Sequence, residues 1–118
     1  MKIEEVFARR RFIMLDGAMG TQLQMRGLTT EQKPELAAFI MPDVLTAVHR
    51  DYARAGADIL LANTFGANPR KLKGTGYTVQ QVIEASIACA RTAAQETGAL
   101  VALDIGPIGE LLGPISSA

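Results

Sequence analysis

Three short apolar runs in this 118-residue chain each end on a polar residue and are soon followed by glycine. The runs cover residues 12–15, 59–62 and 100–103, and the polar residues after them are Asp16, Asn63 and Asp104. Strands that are apolar throughout and alternate with helices are typical of a parallel sheet covered by helices. Ligands bind such sheets beyond the carboxyl ends of the strands. The pattern therefore predicts an α/β fold with a ligand site at that edge.

The stretches between the runs have helical spacing and clear boundaries. Pro42 suits the first position of a helix, and Gly56 suits the left-handed residue after its last turn. Thr78 and Gln81 have the spacing of a capping box, which opens a further helix that ends at Gly98. The remaining predicted segments are a leading helix over residues 2–10, a short helix over residues 21–26 and an irregular stretch over residues 27–41, in which residues 35–40 can make a helical turn.

The repeated order of strand and helix predicts consecutive parallel strands. An eight-fold β/α barrel needs roughly 250 residues, so this chain has room for about three of the eight units. We therefore expect residues 1–118 to form the N-terminal part of a single domain, namely the first three β/α units of a (β/α)8 TIM barrel. Open strand edges invite association, so self-association or completion by a partner chain is a second expectation.

Composition argues against several classes of partner. The formal net charge is zero, which does not favour a nucleic-acid binder. No apolar stretch approaches the ~20 residues that span a bilayer. The single cysteine, Cys89, excludes an internal disulfide and is consistent with a cytoplasmic location.

Five short motifs occur in a fixed order along the chain. They are LDGAMGT at residues 15–21, H-x-x-Y at 49–52, AGAD at 55–58, NTFGAN at 63–68 and DIGPIGEL at 104–111. The set resembles the homocysteine S-methyltransferase family, and within it the homocysteine-binding barrel at the front of the cobalamin-dependent methionine synthases. Each motif is weak alone, and their order makes the resemblance specific.

The resemblance implies a methyltransferase that binds homocysteine and makes methionine. In the family, zinc held by three cysteines binds the homocysteine sulfur as a thiolate, and a lowered thiol pKa supplies the nucleophile. Methylcobalamin is the methyl donor that the methionine synthase branch implies, with cobalamin- and folate-binding domains as further partners. Because Cys89 is the only cysteine and lies mid-helix, we predict that this chain alone does not hold the metal and is inactive by itself.

The resemblance also implies the substrate-binding residues, all at the predicted ligand edge. Asp16 matches the position that receives the substrate ammonium group, and Gly17 and Gly20 can offer backbone N–H groups to its carboxylate. The other candidates are Thr21, Asn63, Thr64, Phe65 and Asp104.

Each candidate also has a structural interpretation. Asp16 can accept backbone N–H groups in its own turn, and the two glycines can serve a plain strand-to-helix turn. Thr21 can cap a helix, and Asn63 can tie neighbouring loops together. His49 lies on a helix that faces away from the ligand edge, so we expect a structural role for it.

Two other functional classes compete with the enzyme. A signalling receiver has about this length and acidic residues after its first and third strands, as Asp16 and Asp104 are here. Receivers also need a lysine after a fifth strand, and the last lysine here is Lys73. The other alternative is a non-catalytic module whose open barrel edges pair with themselves or with a partner chain.

Overall fold

The computed structural model describes residues 2–9 and 12–108, and a parallel sheet forms its centre. Strand β1 (Ile59–Leu61) pairs in parallel with β2 (Leu100–Ala102), with Ile59 opposite Leu100. On the other side of β1, Leu15 forms a parallel bridge to Ile59. All three apolar runs thus lie side by side and point the same way, which confirms the predicted α/β organisation.

Helices cover one face of this sheet. The helical segments are α1 (Ile3–Arg9), α2 (Gly20–Met25), a 3-10 turn (Pro34–Leu36), α3 (Ala37–Ile40), α4 (Pro42–Arg54) and α5 (Val79–Ala94). Leu60 of β1 is fully buried in a cluster with Ala53 of α4 and Ala93 of α5, and Val101 of β2 packs against the same cluster. Helices α4 and α5 are therefore the layer that holds the sheet.

Local sequence signals set both ends of α4, as predicted. Pro42 is its first residue, where a missing N–H costs no hydrogen bond. At its other end Gly56 has a φ of 113°, which a glycine adopts without steric cost. The N–H groups of Gly56 and Ala57 then donate to the carbonyls of Ala53 and Tyr52, and this pattern of two bonds closes the helix.

The predicted capping box opens α5. Thr78 Oγ1 accepts from Gln81 N at 3.1 Å, and Gln81 Oε1 accepts from Thr78 N at 2.9 Å. These two bonds satisfy N–H groups that have no partner within the helix. After the helix, Gly98 has a φ of 79°, so it turns the chain into β2 as predicted.

The first predicted strand, residues 12–15, is much shorter than expected. Only Leu15 makes a bridge, while Phe12 and Met14 are 68% and 53% exposed. The backbone N–H of Met14 donates to the side chain of Asp58 at 2.9 Å instead of to a strand carbonyl. A ladder needs a continuous row of backbone partners, and here a side chain takes the place of one. The predicted strands over 59–62 and 100–103 are each one residue shorter than expected.

The stretch over residues 27–41 contains helix where the sequence left room for a helical turn, over residues 35–40. A 3-10 turn and α3 occupy Pro34–Leu36 and Ala37–Ile40. Ala37 and Ala38 are buried in a second cluster, which also contains Leu23 and Leu45. This burial orders a segment whose local sequence carries weak helix signals.

Helix α1 lies at the amino ends of the strands. Its residues Val6 and Arg9 line a cavity of about 200 Å³ together with Gly56 and Gly98, which precede β1 and β2. The leading helix therefore occupies the end of the sheet opposite the predicted ligand edge. No helix among the described residues combines the length and apolar character needed to cross a bilayer.

His49 is a buried structural residue on α4, as expected for a helix position away from the ligand edge. Its side chain has no exposed surface, and neither ring nitrogen has a hydrogen-bond partner among the described residues. Burial penalises the charged imidazolium and lowers the pKa of His49 from 6.5 to about 4. The native fold therefore holds His49 neutral.

We predict that His49 makes stability depend on pH below neutrality. The unfolded chain binds a proton at His49 below about pH 6.5 and the folded chain only below about pH 4, so stability falls as pH falls through this window. The free energy of unfolding should drop by about 2 kcal/mol between pH 7 and pH 5. Urea titrations at both pH values measure this, and His49→Leu should remove that drop. An equal drop in His49→Leu would contradict the assignment.

Candidate functional site

A cleft of about 370 Å³ opens at the carboxyl ends of the parallel segments. Its walls come from the turn after Leu15, from the end of β1 and from the end of β2. The predicted site residues that line it are Asp16, Gly17, Gly20, Asn63, Phe65 and Asp104. The parallel strands thus bring six of the eight predicted residues to one cavity, although those residues are spread over most of the chain.

Asp16 joins the first apolar segment to β1 through its side chain. Its Oδ2 accepts from the backbone N–H of Leu61 at 3.0 Å. Its other oxygen, Oδ1, is buried and has no hydrogen-bond partner among the described residues. A buried carboxylate oxygen without a donor costs free energy, so Asp16 is prepared to accept a hydrogen bond from a ligand.

Burial also raises the pKa of the Asp16 carboxyl above its ordinary value. The hydrogen bond from Leu61 opposes this rise, and the negative charge of Asp104 adds to it. Three carboxylates, Asp16, Glu35 and Asp104, line the cleft, and no described lining residue is Lys, Arg or His. A positively charged group is therefore the ligand group that this cleft favours.

Asn63 ties two loops together at the cleft wall. Its Nδ2 donates to the carbonyl of Pro34 at 2.8 Å, a contact between residues 29 positions apart. The structural alternative considered for this residue is therefore present in the fold. Asn63 also lines the cleft, so its hydrogen bond to Pro34 does not exclude contact with a ligand. That contact stays a prediction.

Thr64 joins the ends of β1 and β2. It is 3% exposed, and its Oγ1 donates to the carbonyl of Asp104 at 2.7 Å and accepts from the N–H of Asp104 at 2.9 Å. Thr64 is not a lining residue of the cleft. These two bonds fix the backbone that carries the Asp104 carboxylate.

Gly17 and Gly20 differ in what surrounds them. Neither has a positive φ, so neither is required by a left-handed backbone. A Cβ at Gly17 would lie 3.0 Å from both Cε1 and Oη of Tyr52, whereas a Cβ at Gly20 would meet nothing within 4 Å. Gly17 is therefore small because Tyr52 lies beside it, a reason that turn chemistry alone does not predict.

Thr21 and Phe65 are placed differently from each other. Thr21 is an exposed residue of α2, is not its N-cap and does not line the cleft. Phe65 lines the cleft, is 51% exposed and has Lys71 Nζ at 5.6 Å from its ring centroid. The predicted wall role thus fits the position of Phe65, and the structure does not bring Thr21 to the cavity.

Sequence reasoning missed Glu35 as a lining residue. Its side chain lies so close to Gly66 that a Cβ there would overlap Glu35 Cγ and Oε1. Lys33 Nζ also donates to the carbonyl of Lys71 at 2.9 Å, which holds the same segment against the loop after β1. The available signal was topological, because every residue between the first strand and α4 belongs to a connection at the ligand edge.

Comparison with known proteins decides the family. A family model described as homocysteine S-methyltransferase matches residues 13–117, which is nearly the whole chain. The chain belongs to the homocysteine S-methyltransferase family. The expectation drawn from the five ordered motifs is thereby confirmed.

Relatives include enzymes of different length. The chain is 38% identical over 97 residues to methionine synthase of Mycobacterium tuberculosis and 31% identical over 117 residues to homocysteine S-methyltransferase of Escherichia coli. These matches cover 75% and 88% of this chain, but only 8% and 38% of the two relatives. The chain therefore spans well under half of the relatives that it matches.

A solved structure agrees with the sequence relatives. The metallated form of the homocysteine methyltransferase MmuM from Escherichia coli superposes with a TM-score of 0.81 at 28% identity. The match covers 91% of this chain and 42% of the MmuM chain. The arrangement of the described residues is thus similar to one part of a homocysteine methyltransferase.

The described residues of this family member do not fit a zinc ion. Cys89 is buried in the cluster around Leu45 and Val48, and its Sγ lies 3.9 Å from the carbonyl of Pro42. Within residues 2–9 and 12–108, no three His, Cys, Asp or Glu side chains are grouped to hold a metal ion. Cys89 therefore acts as a small core residue, as a buried helical cysteine commonly does.

We predict that Thr64→Val destabilises the chain by about 1–3 kcal/mol. Valine keeps the branched shape but leaves the N–H and carbonyl of Asp104 without their partner. Denaturant unfolding measures the loss. Thr30→Val, at an exposed position, is the matched control and should stay within about 0.5 kcal/mol of wild type. Equal stability of the two variants would rule out the tie as a stabilising contact.

Proposed function

We propose that residues 1–118 are the N-terminal part of a homocysteine-binding (β/α)8 barrel domain and that the cleft grips the amino-acid group of homocysteine. One observation carries the proposal: Asp16 offers a buried, unpartnered carboxylate oxygen at the carboxyl ends of three parallel segments. Membership of the family and the likeness to part of MmuM support the barrel and the substrate.

The charge of the cleft supports recognition through the substrate ammonium group. Asp16 Oδ2 is held by Leu61, which leaves Oδ1 to accept from an ammonium N–H. Glu35 and Asp104 add negative charge at the same cavity. A charge-assisted hydrogen bond is about twice as strong as a neutral one, so Asp16 contributes the main polar contact in this proposal.

The other lining residues complete the proposed substrate site. Gly17 and Gly20 leave the backbone beside Asp16 open to the cavity, where the substrate carboxylate would lie. Asn63 and Phe65 line the cavity where β1 ends. Thr21 and Thr64, which do not line the cavity, have supporting roles in this proposal.

For the whole protein we propose homocysteine S-methyl transfer that gives methionine. The names of the relatives support this reaction, and the methionine synthase relatives support methylcobalamin as the donor. Zinc, when bound in the complete domain, would supply the thiolate form of the substrate sulfur. Since the described residues do not fit zinc, this proposal places the zinc ligands outside residues 1–118. It places the cobalamin- and folate-binding domains there as well.

We predict that Asp16→Asn weakens homocysteine binding about tenfold to a hundredfold, because the neutral amide removes the charge that pairs with the ammonium group. Titration calorimetry with homocysteine measures the affinity. Asp43→Asn, which makes the same chemical change in the first turn of α4, is the control and should bind like wild type. An unchanged affinity in Asp16→Asn would remove Asp16 from the site.

The open edge of β2 favours a second candidate, a non-catalytic module that associates through its sheet. Within the described part of the chain β2 pairs only with β1. Next to it Leu103, Ile105 and Ile108 are 47%, 82% and 49% exposed. Unpaired strand edges beside apolar side chains favour pairing with another chain.

In this second candidate, the chain should elute as a dimer or larger species in size-exclusion chromatography. Ile105→Glu should shift it to the monomer, because a charge beside the open edge opposes pairing. Ile40→Glu on α3 is the control for added charge and should leave the elution unchanged. A monodisperse wild-type monomer would contradict the second candidate.

A further inference from the structure

Helix α4 reaches the candidate site through the side chain of Tyr52. The Tyr52 hydroxyl donates to the carbonyl of Ala18 at 2.6 Å, a contact between residues 34 positions apart. Ala18 lies two residues after Asp16 in the turn that lines the cleft. Gly17, between them, is so close to the Tyr52 ring that a Cβ would lie 3.0 Å from Cε1 and Oη.

The Tyr52 ring is itself firmly held. It packs against two hydrophobic clusters among the described residues, one around Leu45 and the other around Leu60. Its backbone carbonyl accepts from Ala57 N at 3.1 Å in the closing turn of α4. A hydroxyl carried by such an anchored ring is a fixed donor, so the Ala18 carbonyl adopts the position that the helix dictates.

The turn needs such a fixed donor because it contains glycine. Glycine has more backbone freedom than any other residue type. Gly17 directly follows Asp16. On the strand side, Asp16 Oδ2 accepts a hydrogen bond from Leu61 N, which ties its side chain to β1. The hydroxyl of Tyr52 restrains the other side of the same turn and so limits the directions in which Asp16 Oδ1 can point.

We propose that Tyr52 is a positioning residue that orients the Asp16 carboxylate for the substrate by holding the Ala18 carbonyl from helix α4. This inference rests on the proposed function. It explains a tyrosine at a position where the helix pattern requires only an apolar side chain. It also explains Gly17, since any larger residue would displace the ring that holds the turn.

Tyr52→Phe tests the proposal, because it removes the hydroxyl and keeps the ring. Tyr77→Phe is the matched control, since Tyr77 is the other tyrosine of the chain and does not line the cleft. Its ring stacks on that of Phe39, with 4.1 Å between the two ring centroids. Two measurements are made on the 118-residue chain: homocysteine affinity by calorimetry, and the Asp16 carboxyl titration followed by NMR.

We expect Tyr52→Phe to bind homocysteine about threefold to tenfold more weakly, the effect of one lost hydrogen bond. The pKa of the Asp16 carboxyl, which burial raises in wild type, should move towards its ordinary value as water reaches the looser turn. Tyr77→Phe should match wild type in both measurements. Gly17→Ala, which crowds the Tyr52 ring, should shift the Asp16 titration in the same direction as Tyr52→Phe.

The outcomes separate this inference from the proposed function. A Tyr52→Phe variant that melts earlier but keeps the wild-type affinity and Asp16 titration shows that the hydroxyl only stabilises the fold, and this result overturns the inference. If wild type binds no homocysteine, the proposed function fails. The Asp16 titration of the two variants then decides the inference by itself, because a shifted curve supports it and an unchanged curve overturns it.

Discussion

The parallel pairing of β1 with a neighbour on each side is the constraint from which the rest of the structure follows. Met14 O accepts from Asp58 N at 2.7 Å on one side of β1, and Ala62 N donates to Ala102 O at 2.8 Å on the other. Parallel neighbours end at the same edge of the sheet. Three polar residues that are far apart in the chain therefore meet at one cleft. Burial of Leu60 beneath α4 and α5 keeps the sheet in this register.

The polar side chains at that edge serve the fold and leave some atoms for a ligand. Asp16 uses one carboxylate oxygen to bind the backbone of β1 and keeps the other without a partner. Asn63 uses its amide N–H on Pro34. The Thr64 hydroxyl hydrogen-bonds to both backbone groups of Asp104. The structural and functional interpretations of such a residue are therefore compatible when different atoms of its side chain serve each role.

Two of the glycines at the cleft are explained by their neighbours. Gly17 faces the Tyr52 ring, and Gly66 faces the Glu35 side chain. In both pairs a large side chain from a distant element fills the space that a Cβ would need. These close approaches connect helix α4 to the turn at Asp16 and the segment around Pro34 to the loop after β1. The shape of the site thus depends on packing between elements as well as on the turns that line it.

The sequence alone determined the features that depend on short-range interactions. Pro42, Gly56 and the Thr78–Gln81 capping box mark helix ends because a cap involves residues within one turn of each other. Tertiary structure decided the short pairing at Leu15 and the hydrogen bonds that Asn63 and Thr64 make. It also decided the place of Glu35 in the cleft wall and of Tyr52 beside the turn at Ala18. These features join residues that are distant along the chain, as Asp16 and Leu61 are at 45 positions apart. No local spacing records such a contact, because it exists only once the sheet and its helices have packed.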